Sequence, residues 1–89
     1  MPLYARTLLV VGPPDEVEVA AKGHREQLHE LHRRGKLRAA GAFSNGDGFL
    51  EIFEADDLRE AQSIAGSSPL ISEGLGTWML REWSELELD

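Results

Sequence analysis

Apolar residues recur along this chain with two different periods, and the changes of period mark its elements. Leu3–Val11 is rich in Leu, Val, Thr and Tyr and ends at Gly12-Pro13-Pro14, which cannot continue a strand. A first strand is expected there. From about Glu16 to Arg34 the period becomes that of a helix, with Val17, Ala20/Ala21, His24, Leu28 and Leu31 on one face. Asp15 can cap its start, with Glu18 as the capping-box partner. Gly35 is a natural left-handed residue at its end. Gly23 breaks the pattern. Inside a helix it costs about 1 kcal/mol against Ala, so it marks a bend, a late helix start or a close packing contact.

Alternation returns over Leu37–Ser44, the second expected strand, with Leu37, Ala39, Gly41 and Phe43 on one face. Asn45-Gly46-Asp47-Gly48 is a hairpin signal, because Asn-Gly favours the two positive φ angles of a type I′ turn. Phe49–Ala55 is the third strand, antiparallel to the second. Asp57-Leu58-Arg59-Glu60 is a second capping box, opening a helix with Leu58, Ala61, Ile64 and Ala65 inward and Gly66 at its end. Ser67-Ser68-Pro69 is a turn, Leu70–Glu73 adds one loose helical turn, and Gly76–Trp83 is the last strand. The order is β-α-β-β-α-β, the α+β ferredoxin-like arrangement: one four-stranded antiparallel sheet with its helices on one face.

Two helices cover one side of such a sheet and leave the other open. If Leu50 and Ile52 face the helices, then Phe49, Glu51 and Phe53 lie on the open side; on the last strand Trp78 and Leu80 oppose Met79, Arg81 and Trp83. Either choice leaves large apolar side chains uncovered, the mark of an interface. A homodimer packed sheet against sheet is the expectation.

Composition narrows the function. Eighty-nine residues make one small domain, expected to span 1–89 with an acidic tail from about residue 84. A domain of that size buries only about 60–65% of its unfolded surface, which also favours association. There is no cysteine, so thiolate chemistry is excluded; the lack fits a reducing cytoplasm, the expected location. Nine Lys/Arg against sixteen Asp/Glu give a net charge of -7, which argues against nucleic acid and anionic membrane as partners. The acids gather in Glu82, Glu85, Glu87 and Asp89, read as a solvated tail. No apolar run is long enough for a transmembrane helix, and the start lacks the pattern of a signal peptide.

Among residues able to carry chemistry, His24 stands out because it lies at the centre of the apolar helix stripe. A buried imidazole needs a hydrogen-bond partner, and that partner can suit it to proton transfer or merely lock it in place. His32 falls at the margin of the stripe and His29 near the solvent side, so the three histidines do not make a metal-binding face. Ser44 ends the second strand; as a nucleophile it would need a base and an oxyanion hole, and no GxSxG elbow surrounds it. Gly46 and Gly48 close a hairpin rather than open a helix, so no phosphate-binding loop is present and no cofactor is expected.

Several segments together resemble the YciI-like, or YCII-related, family. They are His24…Leu28…Leu31…Gly35-Lys36-Leu37, Ala40-Gly41-Ala42-Phe43-Ser44, Phe53-Glu54-Ala55-Asp56, Ser68-Pro69-Leu70, and Gly74-Leu75…Trp78…Arg81-Glu82-Trp83. The resemblance covers nearly the whole chain. It implies a dimeric ferredoxin-like α+β barrel with a small-molecule cleft built around a helix histidine, matched by His24, and an aspartate just before a proline. Ser68 stands at that aspartate position, and Glu82 stands where the family often has Pro. A related member is a dehydrochlorinase of a chlorinated ring, in which a His–Asp pair is implicated.

Three functions follow as expectations. One is an enzyme moving a proton on a ring or carbonyl compound, with His24 as base and Ser68, and more weakly Ser44, orienting it or the substrate. Another is a binding or accessory module whose His–Asp pair is lost. The third, by fold analogy alone, is a cofactor-free or haem monooxygenase. Since Ser carries no charge, the first requires another acid beside His24: Asp47, Glu51 or a carboxylate of a second chain.

Overall fold

A computed structural model describes residues 2–88. Met1 and Asp89, the last acid of the tail, lie outside the described residues. Among the described residues, four strands and three helices follow one another as β1 (Leu3–Val10), α1 (Pro14–Arg33), β2 (Leu37–Ala42), β3 (Gly48–Glu54), α2 (Leu58–Gly66), α3 (Pro69–Ser72) and β4 (Gly76–Trp83). All strand pairs are antiparallel, in the order β2-β3-β1-β4. This is the expected ferredoxin-like sheet, with β1 and β3 at its centre.

The face turned to the helices carries Tyr4, Arg6 and Leu8 of β1, paired in register with Phe53, Glu51 and Phe49 of β3. The assignment conditional on Leu50 and Ile52 facing the helices is therefore reversed. Both sets on β3 are largely apolar, so alternation alone could not choose between them; the partner strand decides. Tyr4 and Leu8 are buried, whereas Leu9 and Leu50 are exposed. On β4, Trp78 and Leu80 stand opposite Leu8 and Arg6, on the helix side.

The apolar core forms two separate clusters. Tyr4, Phe53, Ala55, Ala61 and Ala65 make one, with Leu37, Ile64 and Leu80 against it. Leu8, Ala20, Leu70 and Leu75 make the other, joined by Val17, Phe49 and Ile71. Along β1 and β3 the rank between them is occupied by Arg6 and Glu51, both fully buried. A polar seam thus crosses the middle of the core.

Local signals account for most element ends. Helix α1 closes as a Schellman motif: Lys36 N–H donates to the Leu31 carbonyl (2.9 Å) and Gly35 N–H to that of His32 (3.0 Å), with Gly35 at φ +71°. Its start differs from expectation. The helix begins at Pro14, after Pro13, and has no side-chain cap; Asp15 and Glu16 fall in the first turn instead. Pro14 needs no N–H partner and its ring presets φ, so a proline at the first position starts the helix before Asp15 can cap it. Asp57 does cap α2, accepting from Glu60 N–H at 2.9 Å. Glu60 in turn accepts from Asp56 N–H and pairs with Lys36, which together hold its carboxyl below the usual range. Leu58 is half exposed rather than inward.

Strand β2 stops at Ala42 and carries a bulge between Leu37 and Ala39. The extra residue puts Leu37 against the helix-side cluster and sends Ala39 and Gly41 to the other face, breaking the simple alternation. In the hairpin Gly46 N–H donates to the Phe43 carbonyl at 2.9 Å, and Gly46 is at φ +78° while Asn45 is not at positive φ. The turn is therefore not type I′, which requires both central residues at positive φ.

Gly23 has a packing reason. A Cβ there would lie 2.6 Å from Cγ of Pro69, the first residue of α3. The missing side chain lets α3 seat directly on α1. Replacing Gly23 by Ala should destabilise the fold by about 1–3 kcal/mol by overpacking, despite Ala's better helix propensity. Urea unfolding of the variant measures this; a gain in stability would show that α3 is free to shift.

Candidate functional site

Five elements meet at the polar seam. Helix α1 presents His24 and, three residues on, Gln27; β1 presents Arg6; β3 presents Glu51; the α2 end and the α3 start supply the Ala65 carbonyl and Ser68. Ser68 is fixed by its own backbone role. As the N-cap of α3 it accepts Leu70 N–H on Oγ at 3.2 Å, while its carbonyl accepts Ile71 N–H at 2.9 Å. Pro69 at the next position suits the same helix start.

The imidazole of His24 is held at both nitrogens. Nδ1 lies 2.7 Å from Ser68 Oγ, and Nε2 lies 2.9 Å from Glu51 Oε2. The Phe49 ring lies 4.7 Å away, centroid to centroid, tilted by 44°. Glu51 bridges: its other oxygen, Oε1, accepts from Arg6 Nε at 2.7 Å. Arg6 Nη1 donates to the Ala65 carbonyl (2.9 Å) and to Gln27 Oε1 (3.2 Å). Gln27 passes the chain on through Nε2 to the Ile64 carbonyl and Ser67 Oγ. Arg6 Nη2 is buried and has no partner among the described residues.

Arg6, His24, Glu51 and Ser68 are each 0% exposed. Both ring nitrogens are occupied by protein partners, so a ligand engages the imidazole either in place of Ser68 or Glu51 or through one of them. Glu51 is clamped by Arg6 from the strand side, whereas Ser68 caps a four-residue helix.

The sequence brought forward His24 and Ser68, and the fold places them in contact. Of the carboxylates weighed as the missing acid, Glu51 is the one at the ring. Asp47 is exposed and bonded to Asn45 within the hairpin turn. Ser44 is exposed in that turn, because β2 ends before it, and takes no part in the hydrogen bonds around His24. His29 and His32 are exposed, and no group of three or more His, Asp or Glu able to hold a metal occurs among the described residues. Arg6 and Gln27 were not anticipated. A signal for Arg6 existed: it alternates with Tyr4 and Leu8, as Glu51 does with Phe49 and Phe53.

Comparison with known proteins places the chain. Residues 5–84 match the YCII-related domain. The chain belongs to the YCII-related family. A relative within reach by sequence is the uncharacterized protein YjpA of Bacillus subtilis (strain 168), 36% identical over 61 residues, or 68% of this chain and 72% of YjpA. Among solved structures it is similar to the 5-chloro-2-hydroxyhydroquinone dehydrochlorinase TftG of Burkholderia phenoliruptrix AC1100, in complex with 2,5-dihydroxybenzoquinone. That match has a TM-score of 0.62 and 19% identity, covering 90% of this chain and 93% of TftG. An antibiotic biosynthesis monooxygenase is similar at a TM-score of 0.59 and 12% identity, covering 96% of this chain and 99% of that one. At these identities the two structures testify to the fold alone.

The buried ion pair sets a stability test. Replacing Arg6 by Met leaves Glu51 buried without its charge partner and should cost about 3–5 kcal/mol. Adding Glu51→Met to it should recover most of the loss, since a well-packed apolar pair can match a buried ionic one. Denaturant unfolding of the single and double variants gives both numbers.

Proposed function

We propose that this YCII-related protein is a homodimeric small-molecule enzyme in which His24 transfers a proton on a ring or carbonyl compound. The observation that carries the reading is Glu51 against His24 Nε2 at 2.9 Å. It supplies the acid that Ser68 cannot, and a carboxylate on one ring nitrogen orients an imidazole and stabilises the charge it gains on taking a proton. The cost of the arrangement also supports it. A core this small would be simpler with apolar residues at Arg6 and Glu51, and polar groups kept at such expense gather at functional sites.

In a loss of hydrogen chloride, for example, the chlorine-bearing ring carbon would first gain a proton as the neighbouring hydroxyl loses its own to become a ketone. His24 would then take the proton of a second ring hydroxyl, and the electron pair released, carried through the adjacent double bond, would expel chloride from the now tetrahedral carbon. No oxidant is needed. TftG, similar in fold, carries that activity in its name.

A second reading rests on burial. With His24 and Ser68 both 0% exposed, the same residues would suit a binding or accessory module whose histidine is structural. One set of assays separates the two. The wild type is incubated with 5-chloro-2-hydroxyhydroquinone and with enolisable cyclic ketones, following chloride release and solvent deuterium uptake. The enzyme reading expects turnover, lowered by roughly 10²–10⁴ in His24→Asn, with the variant still folded by circular dichroism. Absence of turnover in the wild type, with only the thermal midpoint lowered in His24→Asn, would favour the module.

The dimer would form through the open sheet face. Leu9, Leu50, Met79 and Trp83 are exposed there, at 47%, 41%, 56% and 37%. Two depressions lie on it: about 260 Å³ over Ala39, Gly41, Phe43, Leu50 and Ile52, and about 500 Å³ over Thr7, Leu9, Thr77, Met79 and Arg81. Patches of this kind mark interfaces. Sedimentation equilibrium at micromolar concentration should give twice the chain mass, falling to one in a Leu50→Glu/Met79→Glu variant. A monomeric wild type would overturn the assembly.

A further inference from the structure

The two ring nitrogens of His24 have partners of different chemistry, and the difference assigns their roles. Glu51 Oε2 belongs to a carboxylate already paired with Arg6 through Oε1, so it accepts. The hydrogen on the Glu51 side therefore sits on Nε2. Ser68 Oγ already accepts Leu70 N–H, and its own hydrogen is free to turn toward Nδ1. Every bond then has one donor and one acceptor: Leu70 N–H to Ser68 Oγ, Ser68 O–H to Nδ1, Nε2–H to Glu51, and Arg6 Nε–H to Glu51. The opposite tautomer would face bare Nε2 against the carboxylate, two acceptors at 2.9 Å.

We infer that Arg6 and Glu51 are positioning residues that fix His24 as the Nε2–H tautomer, so that Nδ1 is its proton-accepting atom and the Ser68 hydroxyl the relay through which protons reach it. This rests on the reading of His24 as a base and makes it specific. The charged groups facing the ring are Glu51 of β3 directly and Arg6 of β1 through Glu51. From the start of α3 comes the neutral Ser68 hydroxyl, and β3 adds the Phe49 ring. Glu51 thus lies where the imidazolium charge develops, on the side away from Ser68.

The relay favours one class of substrate. Once the start of α3 moves to uncover Ser68, which is fully buried in this structure, a hydroxyl acid, an enol or a phenol, gives its O–H proton to Ser68 Oγ while the Ser68 proton passes to Nδ1. The products are the substrate oxyanion and an imidazolium against the Glu51 carboxylate; charge and atoms balance with no further reactant. Delivery of the proton back runs the same steps in reverse. A C–H acid is a poorer fit, because a serine hydroxyl is too weak a base to take its proton directly.

The test needs no substrate, so it stands or falls apart from the turnover assays. Nitrogen-15 NMR of the folded, ring-labelled protein at neutral pH reports which nitrogen of His24 carries hydrogen. A single Nε2–H form is expected in the wild type. Ser68→Ala should keep that form, since Glu51 still holds Nε2–H. The Arg6→Met/Glu51→Met double variant, which removes both buried charges together, should lose the preference by tenfold or more and show a mixture. A wild-type Nδ1–H form overturns the inference without any variant. So does the crossed result, in which Ser68→Ala changes the tautomer and the double variant does not.

Discussion

The ion pair between Arg6 and Glu51 spans the two central strands of the sheet, and the rest of the molecule is arranged around it. In a domain this small, a buried guanidinium and carboxylate forgo hydration that their mutual attraction only partly returns. The fold offsets this with further bonds: the Ala65 carbonyl and Gln27 on the arginine side, His24 on the glutamate side. They come from two elements, α1 and the end of α2. The pair therefore draws α1, the end of α2 and the two inner strands to one point, and the apolar core has to form in two clusters on either side of it.

That division clarifies which parts of the architecture the residues disclose on their own. Features governed by neighbours a few positions away are legible. Asp57 caps its helix, Gly35 ends another in the left-handed conformation, and the last strand runs over Gly76–Trp83 as its composition suggests. Features governed by residues far apart are not. Which face of β3 turns inward depends on the match of Glu51 with Arg6, forty-five positions away, against Phe49, Leu50, Ile52 and Phe53 that would suit either side. The bulge in β2 and the start of α1 are smaller cases, where one extra residue or a proline outweighs a local preference.

The site divides in the same way. His24 is conspicuous because a histidine interrupts an otherwise apolar helix stripe, and Ser68 because a resemblance gives its position meaning. Glu51 stood among three carboxylates until the strands were paired. Gln27 gave no sign: a polar residue on a helix next to charged neighbours looks solvated, yet it joins Arg6 to the Ile64 carbonyl and Ser67. A serine at the start of α3 also looks like a routine cap, and it is one; the same oxygen closes the line of bonds to the imidazole.

Gly23 and Pro69 touch where α1 meets α3, one residue before His24 and one after Ser68. Their spacing is therefore the spacing of the histidine and the serine. The two positions cannot vary independently. A side chain at 23 would have to be met by something slimmer than proline at 69, or the helices would part and the hydroxyl would leave the ring. Sequences that place a larger residue at 23 are then ones in which position 68 has to reach farther, and a longer side chain than serine's becomes a geometric requirement of the seat rather than a choice of chemistry alone.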